Sequence, residues 1–195
     1  MMRRMVHFLA AMSIAASTCA DAQRPDPPGL TFDGVARTGA DTRQVVFHFF
    51  CSSNNGPNVT GVLSVDLEVP NYQQLRPIFD FDPFEGPDAD AGSRTVLRAG
   101  GARAKAADRF ATAGSVQEGN GSESFTLEVS ASRRESAPLR KLAAVLRPLL
   151  DGPGQLEWSQ GSAKSGGTPM IASLDVTQPR ADQLKAALGP CLARH

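Results

Sequence analysis

From Val45 to Cys51 the chain carries apolar side chains on both sides: Val45, Phe47, Phe49 and Cys51 alternate with Val46, His48 and Phe50. So continuous a run predicts a central strand buried on both faces, with Cys51 beside two phenylalanines. Asn54-Asn55-Gly56-Pro57-Asn58 then marks a turn. Beyond it Val59, Leu63, Val65, Leu67 and Val69 share one face, while Thr60, Ser64, Asp66 and Glu68 share the other. That alternation is the mark of an antiparallel strand with one face in water. The two runs read together as a hairpin.

Downstream the pattern weakens and then recovers. Residues 72–78 suit a single helical turn cut short by Pro77, and 80–92 form a loop rich in Pro, Gly and Asp. Weaker strands are expected over 94–99 and 102–117, with Gly100-Gly101 as a turn, and Asn120-Gly121 as a hairpin turn before the next strand. There Phe125, Leu127, Val129 and Ala131 alternate with Thr126, Glu128, Ser130 and Ser132. Ser136 suits an N-cap and Pro138 a first turn, and Leu139, Leu142, Val145, Leu146 and Leu149 recur at helical spacing, predicting a helix over about 136–150 that bends or stops at Pro148. Strands over 155–159 and 170–177 flank a Gly/Ser-rich connection at 161–167. Pro179 opens a last helix over about 179–189, ended by Gly189-Pro190, with Cys191 just beyond. Several strands, a helix, two strands and a helix make an α+β domain with a largely antiparallel sheet, rather than a doubly wound parallel one.

The N-terminus has a different character. Arg3 and Arg4 precede an apolar stretch too short to span a bilayer, followed by the small residues of Ala20-Asp21-Ala22. This is the pattern of a secretory signal peptide over 1–22, with Thr18-Cys19-Ala20 as a second cleavage option and an uncleaved apolar helix as the alternative. A flexible Pro-rich lead-in over 23–29 and a single domain over 30–195 complete the organisation. The expected address is periplasmic or extracellular. Lipidation at Cys19 is the competing reading, but Ala16 stands where a large aliphatic residue is usual and Thr18 where a smaller one is. No later segment nears the roughly 20 apolar residues of a membrane span. With 20 Lys plus Arg against 20 Asp plus Glu in 195 residues, the chain lacks the net charge that drives non-specific nucleic-acid binding.

Candidate chemistry is sparse. After export Cys51 and Cys191 form an even pair in an oxidising compartment, which predicts one disulfide; two buried free thiols are the alternative. His48 lies among phenylalanines and reads as structural, and His195 is the last residue. Neither accompanies a Gly-x-Ser-x-Gly elbow or an i, i+4 metal pair. Lys164-Ser165 lies among glycines but lacks the one that precedes the lysine of a phosphate loop. No cofactor is implied. Asp80, Asp82, Glu85, Asp88 and Asp90 concentrate oxygen ligands of the kind Ca²⁺ takes, without EF-hand spacing; against this, Phe79, Phe81 and Phe84 suit a loop anchored on the core with its carboxylates in water. Arg94, Arg98, Arg103, Lys105 and Arg109 form a basic block just after the acidic one. The two blocks are expected to pair across adjacent strands or to make a bipolar contact surface. The whole reads as an exported, non-catalytic binding or accessory protein for a protein or small-molecule ligand, with 79–92 as its recognition loop. One alternative is a hydrolase using carboxylates such as Asp80, Asp82 or Glu85, whose sign would be a carboxyl pKa raised by burial in a cleft. The other is a Ca²⁺-stabilised module.

Overall fold

The computed structural model describes residues 29–52, 62–85, 95–101, 104–118, 123–132, 136–162 and 167–192. The expected signal peptide over 1–22, most of the expected lead-in over 23–29, Cys19, the expected turn at 54–58, Asn120-Gly121, Lys164-Ser165, Asp88, Asp90, Arg94, Arg103 and His195 lie outside them. The strands are β1 (Leu30–Thr38), β2 (Asp41–Cys51), β3 (Val62–Pro70), β4 (Thr95–Gly101), β5 (Lys105–Phe110), β6 (Ala113–Glu118), β7 (Glu123–Ser132), β8 (Gly154–Gln160) and β9 (Met170–Val176). They form one sheet in the order β5-β4-β8-β9-β1-β2-β3-β7-β6, and each strand-to-strand pairing in it is antiparallel. Two helices accompany it, α1 (Ser136–Leu146) and α2 (Gln178–Leu192), so the fold is α+β.

The sheet curls into a half-barrel. Its two edge strands, β5 and β6, are consecutive in the chain and separated only by Ala111 and Thr112. Three residue steps span at most about 11 Å, so the sheet's ends must meet at that corner. Helix α1 contacts β4 and β5 at one end of the strand order and β7 near the other, while α2 lies against β9, β1, β2 and β3 in the middle. Both helices fill the concave side. There the inward residues of each strand, Phe47, Leu67, Leu127 and Trp158 among them, meet Leu142 of α1 and Leu184 of α2, all fully buried. Cys51, on that same face, is bonded to Cys191 of α2, with S–S 2.07 Å and Cα atoms 6.0 Å apart.

Several elements differ from the sequence pattern. Strand β1 has only a faint apolar face, because Gly34 and Ala36 stand where large residues would, yet it pairs with β2 along its whole length through a two-residue turn with Gly39 at φ 59°. Strand β2 is buried on one face only; Val46, His48 and Phe50 are partly exposed on the other. The expected strand over 102–117 is two strands, broken where the chain crosses from one sheet edge to the other. Gly100 and Gly101 are not a turn but the end of β4, paired with Gln155 and Gly154 of β8. A Cβ on Gly154 would meet the Gly100 carbonyl oxygen at 2.2 Å, so the glycine here serves close strand approach. α1 gives way at Pro148 to a 3-10 turn over Arg147–Leu150. α2 does not stop at Gly189-Pro190: burial of Leu188 and Leu192 and the Cys191 bond outweigh the one hydrogen bond that Pro190 removes.

Candidate functional site on the outer face of the sheet

The face turned away from the helices carries the polar halves of the alternating strands. Over β2, β3 and β7 it sinks into an open depression of about 760 Å³. Phe50 and Val62 border one part of it, His48, Asp66, Glu68 and Glu128 are its charged or titratable lining, and Thr126 and Gln117 line the rest. Strand register places these groups. His48 of β2 stands directly opposite Asp66 of β3, and Asp66 directly opposite Glu128 of β7. Glu68, two residues along β3 on the same face, receives a hydrogen bond of 2.9 Å from His48 Nε2.

Asp66 is the unusual member of the row. Its Oδ1 is shielded from solvent and has no hydrogen-bond partner among the described residues. Burial first, and then the charge on Glu128, push its carboxyl up to about 6, while a hydrogen bond from the Ser64 hydroxyl and the proximity of His48 pull more weakly the other way. An acceptor removed from water without a partner costs about 1–3 kcal/mol. Like charges directly opposite on neighbouring strands add to the cost. None of the described residues lining the depression is Lys or Arg. The arrangement can accept donors from a ligand, and it can take up or release a proton at Asp66.

The acidic segment singled out in the sequence is built differently. Phe79, Phe81 and Phe84 are buried, with Phe81 4.8 Å from the Phe79 ring and 4.8 Å from that of Phe125 on β7. This aromatic cluster holds the segment against the sheet. Asp82 is exposed and paired with Arg76, Asp80 is half-buried and Glu85 exposed, and the backbone of Glu85 bridges Gly114 of β6. Among the described residues no three His, Cys, Asp or Glu side chains gather as a metal would need. The described part of the segment lies beside β6, whereas Arg98, Lys105 and Arg109 belong to β4 and β5 at the other end of the strand order. Among the described residues Asp82 of the acidic block pairs with Arg76 rather than with the basic block. Arg98 instead meets Glu157 of β8 at 2.6 Å, and Lys141 of α1 reaches Asp108 at 3.4 Å.

Sequence reasoning placed Asp66, Glu68 and Glu128 on wet strand faces and His48 in a structural role. It did not bring them together, because the pairing of β3 with β7 joins segments more than fifty residues apart and no local pattern encodes its register. The available signal was the density of titratable groups on those wet faces. Compared with known protein families, with curated proteins and with solved structures, the chain matches none.

Proposed function

We propose that this is an exported, non-catalytic binding or accessory protein whose ligand occupies the depression over β2, β3 and β7. The observation that carries the reading is the shielded, unpartnered oxygen of Asp66 within an open depression that has an apolar border and hydroxyl and amide groups along its lining. Sites that place a few polar groups within an apolar concavity are typical of small-molecule recognition. The ligand that suits it brings hydrogen-bond donors or positive charge, with an apolar part to lie against Phe50 and Val62. Amide chemical-shift mapping with small amines, guanidines and sugars tests this. Perturbations should cluster on β2, β3 and β7 and vanish in Asp66→Asn. Shifts confined to other strands, or an Asp66→Asn variant that binds equally well, would discard the reading.

Export is supported by the N-terminal pattern and by the Cys51–Cys191 disulfide, which belongs to an oxidising compartment. Among the described residues no helix is long and apolar enough to cross a membrane. The intact mass of the secreted product checks the cleavage after Ala22, any lipid at Cys19 and the two-proton loss of the disulfide together; a product retaining residues 1–22 contradicts the export reading.

A second reading has its own support. A carboxyl raised by burial in a depression was the expected sign of a carboxylate-dependent hydrolase, and Asp66 carries it. Asp66 would then serve as general acid and Glu128 as base. Release of nitrophenol from nitrophenyl glycosides and esters, reduced at least about 100-fold by Asp66→Asn, is the expected result. Absence of turnover across that panel leaves the binding reading alone.

A further inference from the structure

The row His48–Asp66–Glu128 sets two carboxyl groups face to face with little to separate their charges. From β2 Asp66 faces His48, whose ring is already committed to Glu68; from β7 it faces Glu128; on its own strand Glu68 lies two residues away. One strand beyond β7, β6 contributes Ala113 opposite Glu128 and Ser115 opposite Thr126, neither charged. One strand beyond β2, β1 contributes Thr31 opposite His48 and Asp33 opposite Val46, so its only nearby charge is another acid. Glu128 is exposed, and Asp66 is the half-buried partner with the shielded oxygen.

A proton resolves both difficulties at once. It cancels the repulsion between the opposed carboxylates, and it turns an orphaned acceptor into a hydroxyl able to donate to Glu128. We infer that Asp66 and Glu128 share one proton, and that its release and uptake switch the charge of the depression and hence its hold on a cationic ligand. The protonation step of Asp66, at about 6, puts the switch between mildly acidic and neutral conditions. Above it the depression presents the three carboxylates of Asp66, Glu68 and Glu128 to an arriving ammonium or guanidinium group; below it one negative charge is gone and one acceptor has become a donor. The consequence for a ligand rests on the binding reading above, whereas the shared proton does not.

The experiment is a site-resolved carboxyl NMR titration of the ligand-free, disulfide-bonded protein from about pH 3 to 8, spanning the ordinary carboxylate range. Asp66 should titrate near 6, and Glu128→Gln should lower its midpoint by roughly half a unit or more. Should that variant fold poorly, about 1 M salt in the unmodified protein does the same service, since it screens the exposed Glu128 charge and should also lower the midpoint. An Asp66 midpoint near 4, or one indifferent to both Glu128→Gln and salt, overturns the inference while leaving the depression free to bind. Titration of n-butylammonium at pH 5 and pH 7.5 then reads the consequence. Binding should be several-fold tighter at the higher pH, with the difference lost in Asp66→Asn. Equal affinity at both pH values overturns the switch. An Asp66 midpoint near 6 with no butylammonium bound at either pH overturns the assignment of the depression to cationic ligands and leaves the shared proton standing.

Discussion

Thr95, Thr112, Gln160 and Trp158 form a buried polar knot at the corner where the chain passes from β5 to β6. Thr95 spends its only hydroxyl proton on Gln160 Oε1, so it accepts from Thr112, while Trp158 Nε1 donates to the same Gln160 oxygen at 3.3 Å. Thr95→Val should cost about 1–3 kcal/mol, because it strips partners from groups that water cannot reach; urea denaturation measures it. Asp66 acts in the opposite sense. Its carboxyl is raised in the folded protein to about 6, above its ordinary value, so folding takes up a proton. The associated stability is fully present below about pH 4 and declines as pH rises through 6, by at most about 3 kcal/mol. Asp66→Asn should flatten that decline, which denaturation curves at pH 4, 5, 6 and 7 will show; an unchanged slope would refute it. Both sites were visible in the sequence only as residue types. Gln160 stood just past an expected strand and Asp66 on a wet face, and neither burial nor partners can be read without the neighbouring strands.

Among the elements, α2 owes most to a long-range tie. The Cys51–Cys191 bond closes a loop with a sequence separation of 140, for which chain-entropy arguments allow about 5 kcal/mol at most. Replacing both cysteines by alanine should lower the urea midpoint markedly and raise amide exchange in the last turn of α2 more than in α1; equal exchange in the two helices would contradict this. The regular elements with strong periodicity were legible: β3 and β7 from their alternation, and α1 from its leucine spacing and the stop at Pro148. Those with weak side-chain signals were not. In β1 the small residues Gly34 and Ala36 make room rather than signal burial: a Cβ on Gly34 would meet the Phe47 ring at 2.6 Å. At the end of α2, packing and a covalent bond override the local preference of Gly189-Pro190 to terminate a helix.

For the molecule as a whole, the curl of the sheet decides which surfaces exist. It brings the edge strands together at Ala111 and Thr112, places the helices on the concave side and turns the polar halves of the alternating strands outward. It also holds the segment carrying Asp80, Asp82 and Glu85 beside β6 by its phenylalanines. Because the described carboxylates of that segment do not converge, the melting temperature should be the same in Ca²⁺ and in EDTA; a clear rise with Ca²⁺ would favour the calcium-stabilised module. The sequence by itself determined the α+β class, the main alternating strands and the two helices, because each follows from local periodicity, and it led to the expectation of a Cys51–Cys191 pair once Cys19 was assigned to the N-terminal apolar segment. Tertiary structure alone decided the strand order, the meeting of the sheet's ends and the row His48–Asp66–Glu128, because cross-strand neighbours depend on register between distant segments, and a carboxyl's proton affinity depends on the charges and the burial that register brings to it.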